Sequence, residues 1–461
     1  MNQWRRWPDQ PQSLTDPAWN WLARALGMPA LLATPPRALA DITLPQPRLS
    51  DVAHHAFVAL LGEQRVRQDM EARLRHAGGD ILKARGGDLS DAPDAVLLPR
   101  NEDDVLAILG LCAREGLSAC VFGAGQAAPP AALICIDMTG MTRIKSVDAA
   151  SGLVEAEAGI TGDELARQLA ARGLMLEEDF GTGTLGGRIA LGVADWLVDL
   201  RLATPRGLVA SGFVRAAGSR GRLGAITAAT IRAHPLPARP RRCGFVFPDF
   251  AAGLAALNQA QRLGIAHFGA RLSDAAESDF LHHLRVMERH PLLRWLDRPT
   301  GGCNLTITFP DPLSRLRFAL LARKAKARRR KPVTAAHYRN LLLDRGLMVE
   351  RWHLPARWSQ LSSLHAALSA SLDQAMREHA PRDGAHGLVL GRVQGSRHDG
   401  ADLVLTAIYP RLLNGDVAQA SAIRDTAQAA ITQQTGAIVR PASDIQRAVK
   451  LVLDPKGILP A

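Results

Sequence analysis

Two glycine-rich turns, far apart in the chain, hold the residues best suited to chemistry. Ala119 to Phe122 is an apolar run that breaks at Gly123-Ala124-Gly125-Gln126. A buried strand that stops at two glycines turns sharply and presents its backbone N–H groups to whatever lies above the turn. That chemistry suits an oxyanion such as a pyrophosphate. The second turn is Gly218-Ser219-Arg220-Gly221-Arg222-Leu223-Gly224, and between the two lies a loop, Glu177 to Gly187, dense in glycine and threonine. No G-x-G-x-x-G opens a helix here, so the Rossmann motif is not met. The pair His54-His55 has no third ligand nearby, which argues against a metal site.

The elements that must position these turns follow from hydrophobic spacing. Ala95 to Leu98 reads as a strand ended by Pro99. Asn101 is placed to cap a helix whose first turn carries Glu102, Asp103 and Asp104, where the helix dipole favours negative charge. Val105, Ile108, Leu109 and Cys112 share one face, and Gly116 is placed to close the helix. Leu133 to Asp137 reads as a further strand. Thr161-Gly162-Asp163-Glu164 has the form of a capping box at the head of a helix ending at Gly173. Val198–Ala203, Leu208–Val214 and Ala225–Ala233 read as strands, and Ala56–Ala77 as a helix. Pro235 to Pro240 is a proline-rich linker. Beyond it, strands near Phe245, Ala266, Asn304, Leu388 and Leu403 alternate with helices at 250–263, 274–289 and 312–331. The basic run from Lys324 to Lys331 is expected on the last of these, either as a solvated face or as a site for an anionic partner.

At 461 residues the chain is long enough for two or three domains. With 56 Lys+Arg against 44 Asp+Glu, the net charge is +12. That balance fits phosphate-bearing ligands, nucleic acid or an anionic membrane surface without choosing among them. The five cysteines are scattered and odd in number, which reads as reduced core thiols of a cytoplasmic protein. The most apolar window, Leu117 to Met138, is cut by glycines and by Pro129-Pro130, so it does not read as a spanning helix. Early tryptophans, Trp4, Trp7, Trp19 and Trp21, read as staples for an irregular segment or as a membrane-facing one.

Four stretches carry a family resemblance: Pro93 to Arg100, Ala158 to Leu165, Thr204 to Gly207, and Gly218 to Thr227. It extends through Phe247-Pro248-Asp249-Phe250, Arg271-Leu272-Ser273-Asp274 and Leu453 to Leu459. In this order they resemble the vanillyl-alcohol oxidase / p-cresol methylhydroxylase superfamily of flavoproteins and, within it, the alkylglycerone-phosphate synthases. The resemblance implies an α+β fold with a two-lobed FAD-binding domain at 91–235. It also implies a substrate cap at 241–435, an N-terminal extension at 1–90 and a C-terminal segment at 436–461 packed back on the FAD domain. FAD would be wrapped at its pyrophosphate by Gly123, Ala124, Gly125, Gln126 and Ala127. Thr184, Leu185, Gly186, Gly187 and Asp195 would line the flavin side. Gly218, Ser219, Gly221, Leu223, Gly224 and Ile226 would reach the adenosine end. Arg271 and Arg392, with His398, would handle an acidic or phosphorylated small-molecule substrate, as a planar guanidinium suits such an anion. The synthases exchange the acyl chain of acyl-dihydroxyacetone phosphate for a fatty alcohol without net redox change. Peripheral membrane contact and a homodimer stand as open partners. Nucleic acid is not expected, because no aromatics interleave with the basic run.

The chain departs from the family pattern where chemistry is done. Gln126-Ala127-Ala128-Pro129-Pro130 stands where the family continues in glycine and then Thr-Ser, removing hydroxyls and two N–H donors. Only Arg188 to Ala194 remains of a longer flavin-contacting loop. The family's tyrosine-rich strand becomes Asp402 to Ala407, and its C-terminal histidine cluster becomes Val439 to Ser443. At roughly 1.5–3 kcal/mol for each hydrogen bond to a phosphate, two or three losses weaken FAD by about two to five orders of magnitude. Arg220 and Arg222 either restore affinity at the anion or fill the site as ion pairs. Two functions follow: an FAD-dependent oxidoreductase-like protein of altered chemistry, in ether-lipid-type metabolism, or a degenerate pseudoenzyme acting as a scaffold.

Overall fold

The computed structural model describes residues 13–125, 132–178, 180–192, 195–210, 217–287, 301–333, 338–435 and 444–460. They form two compact units. One comprises 36–236 with the C-terminal segment from 444. The other comprises 13–35 with 237–435. The first ninety residues are therefore no separate extension. The helix α1 (Asp16–Ala25) buries Ala18 and Leu22 in the second unit's core, whereas α2 (Asp51–Leu61) buries Phe57 in the first unit's.

Among the described residues the first unit holds two main sheets and one two-stranded pair. The smaller has the order β1-β2-β4-β3, with β1 (Val66–Arg67), β2 (Ala95–Leu97), β3 (Ala119–Phe122) and β4 (Ile134–Asp137). Strands β2 and β3 run parallel to β4, so a crossover must join β2 to β3. After two short helices, α3 (Met70–Arg75) and α4 (Ile81–Arg85), the helix α5 (Glu102–Glu115) makes that crossover. Asn101 caps it by accepting from Asp104 N, and Gly116 ends it at φ +66°. Its Val105, Ile108, Leu109 and Cys112 lie fully buried against Ala95, Leu97, Ile134 and Ile136. The expected helix over 56–77 is broken. Gly62, at φ +88°, stops α2, residues 66–67 pair with β2, and Asp69 starts α3 by capping Ala72 N.

The larger sheet is antiparallel, in the order β5-β6-β10-β8-β9. Its strands are β5 (Ile144–Asp148), β6 (Leu153–Glu157), β8 (Leu197–Thr204), β9 (Gly207–Val209) and β10 (Ala225–Arg232). The short β7 (Leu174–Met175) lies outside it, paired with β11 (His234–Pro235). Helices α6 (Gly162–Ala170) and α7 (Leu185–Leu191) pack on its core through Leu165, Leu169, Leu185 and Ile189. Only half of the capping box forms. Thr161 accepts from Glu164 N, but the Glu164 carboxylate turns to Arg167 and Gln168. Glu102 ties the two sheets together. It takes both arms of Arg201 on β8, at 2.9 and 2.6 Å, and the Thr227 hydroxyl of β10 at 2.6 Å.

The second unit is one antiparallel sheet in the order β15-β12-β14-β13-β17-β18-β16. Its strands are β12 (Arg241–Phe247), β13 (Phe268–Ser273), β14 (Cys303–Phe309), β15 (Arg328–Arg330), β16 (Leu347–Arg357), β17 (Leu388–Gln394) and β18 (Gly400–Pro410). Gly253 of α8 (Phe250–Arg262) sits on Leu272, on one face of the sheet. On the other face α9 (Ala275–Met287) meets the side chains of Arg271 and Arg392. Beyond Lys324 the basic run 324–331 is not helical. The helix Pro312–Lys324 stops there, Lys326 turns the chain at φ +58°, and 328–330 become the edge strand β15.

Candidate functional site

In the first unit the glycine turns converge. A Cβ added to Gly123 would lie 2.4 Å from Thr184 Oγ1, so only glycine lets the turn after β3 approach Thr184 so closely. Thr184 is buried and caps α7 by accepting from Gly187 N. Gly186 is pressed onto β6, its Cβ position 2.8 Å from Ala158 Cβ, while its amide donates to Ala158 O at 2.7 Å. The second turn closes over the end of α7. Gly218 N donates to Ile189 O at 2.9 Å and Arg220 N to Ala190 O at 3.0 Å, satisfying helix-end carbonyls. Gly221, at φ +80°, places its Cβ position 4.0 Å from Val121 on β3. Three segments distant in sequence thus meet at the C-terminal end of β3.

Their chemistry fits an oxyanion. The amides of Gly123, Ala124, Ser219 and Gly221 have no hydrogen-bond partner among the described residues. The side chains of Leu185, Leu223 and Ile226 belong to the hydrophobic core, so they support the site from behind and only their backbone faces outward chemistry. Asp195 is exposed. Gln126 and Ala127 fall outside the described residues, as do 439–443. A buried hydrogen bond backs the turn: His76 Nε2 lies 2.8 Å from Asp137 Oδ2, and the His76 ring packs on Phe122. Burial alone would raise the Asp137 carboxyl, but hydrogen bonds from His76 and Thr139 outweigh it and hold it below the usual range.

In the second unit the sheet brings arginines together. Arg392 lies opposite Ser273, two residues from Arg271, so both guanidinium groups share one face. Both donate to Glu277 Oε1, at 2.9 and 3.0 Å. Burial would raise Glu277, yet Arg271 and Arg392 together hold it below the usual carboxylate range. Its second oxygen is buried without a partner among the described residues. The same face carries Arg351 on β16, directly opposite Thr406. Arg351 makes no ion pair or hydrogen bond among the described residues. Its side chain is solvent-exposed, yet partial desolvation against the sheet first, then the positive charge of Arg392, lowers its pKa to about 10. The Thr406 hydroxyl beside it is buried and unpartnered. His353 stands two residues from Arg351, in the ladder row of Arg392 and Val404. His398, by contrast, sits exposed in the turn between β17 and β18 and makes no hydrogen bond to Arg271 or Arg392 among the described residues.

With this geometry in hand, the known proteins are informative. The FAD binding domain family matches residues 93–212. A solved alkyldihydroxyacetonephosphate synthase superposes with TM-score 0.76 at 21% identity, covering 96% of this chain and 91% of that one. p-Cresol methylhydroxylase with substrate bound gives 0.66 at 12% identity, covering 90% and 97%. Residues 93–212 thus match an FAD binding domain, and the chain as a whole has the fold of the p-cresol methylhydroxylase type. In sequence the chain is 28% identical over 269 residues to alkyldihydroxyacetonephosphate synthase of Trypanosoma brucei brucei, covering 50% of this chain and 44% of the relative. The Dictyostelium discoideum synthase gives 27% over 282 residues, covering 53% and 46%. The matched stretch therefore spans less than half the length of these curated relatives. L-gulono-1,4-lactone dehydrogenase of Mycobacterium tuberculosis is 31% identical over 165 residues, covering 32% and 39%. Of the residues that complete the arginine face, Arg351, Glu277, Thr406 and His353 went unread in the sequence. Only the polar alternation at Arg351 and His353 marks them there.

Proposed function

We propose that this protein binds FAD at the junction of its three glycine turns and acts on a small anionic substrate held by the arginine face. The observation that carries the reading is the meeting of Gly123, Thr184 and Gly221 around one strand end, with four amides that lack a partner among the described residues. Gly123 and Ala124 would hold one oxyanion edge of the cofactor and Ser219 and Gly221 another. Bound FAD would supply a flavin ring that can take up or return electrons.

The chain's own residues would do the rest. Glu277 fixes the directions of Arg271 and Arg392 by accepting from both. Three guanidinium groups against one carboxylate leave an excess of about two positive charges, which matches a phosphomonoester dianion better than a carboxylate. Arg351 and the Thr406 hydroxyl are the groups left to contact it. His353, on the same face, is the group placed to move a proton. The substrate class proposed is a phosphorylated ether or ester of the alkyldihydroxyacetone phosphate kind.

One observation favours a second reading, a fold-retaining protein without turnover. Both tyrosines, Tyr338 and Tyr409, are buried, and β18 presents Val404 and Thr406 to the arginine face. The two readings part in one experiment. The protein is loaded with FAD and titrated with dihydroxyacetone phosphate and its alkyl ether. Binding that weakens at least about tenfold in Arg351→Gln, with a flavin absorbance change that His353→Asn abolishes, supports the enzyme. Unperturbed flavin absorbance at saturating ligand supports the scaffold.

A further inference from the structure

The helix Pro312–Lys324 spends its leucines on the wrong side for a core. Its Ser314, Phe318 and Ala322 are buried, while Leu313, Leu316 and Leu320 are 64%, 57% and 55% exposed. At 3.6 residues per turn these three leucines form one outward stripe. Arg317 on the same side donates to the backbone of Leu263, itself 48% exposed at the end of α8, which extends the apolar patch. Around it the charge is of one sign. Residues 312–331 contain nine arginines and lysines and no aspartate or glutamate. The turn at Lys326 folds the run back so that Arg328 and Arg329 project from the edge strand β15.

An exposed leucine stripe ringed by cations has few suitable partners. A second copy meeting this face through a twofold axis would set like charges against each other. An added β-strand is opposed by three consecutive arginines on the edge. Nucleic acid would leave the leucines without a partner, and Phe318, the aromatic of this helix, is buried. A bilayer carrying anionic lipid satisfies both halves: leucines enter the headgroup boundary and cations meet lipid phosphates. We propose that the helix Pro312–Lys324, with the turn and edge strand that follow, docks the protein on an anionic membrane surface. The inference rests on this surface alone and is independent of cofactor and substrate.

The test is sedimentation of the full chain with vesicles of phosphatidylcholine, alone or mixed with phosphatidylglycerol. Binding is expected to the mixed vesicles only, falling as salt rises. At about fivefold per cation, Arg328→Glu with Arg329→Glu lowers binding by at least about tenfold. Replacing Leu313, Leu316 and Leu320 by serine lowers it similarly. Both variants alter exposed side chains and keep the wild-type unfolding midpoint, so a loss of binding reads the surface. Equal binding to neutral vesicles, undiminished binding by either variant, tighter binding to an oligonucleotide, or a dimer that the leucine variant abolishes would each overturn the proposal.

Discussion

Gly123 and Glu277 show what single residues contribute here. At Gly123 the missing side chain is what permits the packing, because a Cβ would collide with Thr184. In sequence a Gly-x-Gly at the end of an apolar run marks a tight turn, and the close approach to Thr184 is added by the fold. Glu277 is the opposite case. Its position three residues after Asp274 reads only as an ordinary first-turn acid. Its role comes from two strands that the fold sets beneath it. With Arg271 and Arg392 holding its carboxyl low, the stabilisation is fully present above the ordinary value of 4.5 and is lost as pH falls through the lower folded value. Glu277→Gln should lower unfolding free energy by about 3 kcal/mol at neutral pH, and the gap to wild type should narrow under acid. Denaturant melts across pH check this. Arg351 could not be found locally either, because the residue it stands opposite, Thr406, is a cross-strand neighbour. Lacking an ion pair among the described residues, it should cost little when changed: Arg351→Gln keeps wild-type stability within about 0.5 kcal/mol. A larger loss in the same melts would mean the residue supports the fold instead.

At the scale of elements, legibility followed local signals. The helix α5 was readable from cap to cap because Asn101, its apolar face and Gly116 all agree. The helix expected over 56–77 was not there, because the φ of Gly62 and the cap at Asp69 outweigh a favourable composition. The basic run likewise became an edge strand once Lys326 turned the chain. The eleven-residue strand β16 was missed, since Pro355 and mixed polarity disguise it. Glu102 joins elements that sequence could not connect. Its pKa is held low by the hydrogen bond from Arg201 first, against burial, and then by Thr227. Glu102→Ala should destabilise the first unit by about 2 kcal/mol, because Arg201 and Thr227 lose a shared acceptor. Hydrogen exchange should show that loss in α5, β8 and β10 before other elements.

For the whole molecule, the fold was legible because matching stretches occur in one sequence order. The assignment of the first ninety residues was not, since which core a helix joins depends on packing. The five cysteines read correctly as free and buried. Burial pushes the Cys112 and Cys303 thiols up to about 12, so neither presents a thiolate at neutral pH. A chromogenic disulfide reagent should therefore titrate almost no thiol in the native protein and all five after denaturation; fast native labelling would contradict the packing described. If the three distant turns form one cofactor cradle, as proposed, flavin binding reports on it. The purified protein, titrated with FAD and followed by quenching of flavin fluorescence, should bind it saturably. Gly123→Val should weaken that binding by at least about tenfold by pushing the turn off Thr184. No saturable quenching by the wild-type protein, or equal affinity in the variant, would contradict the account.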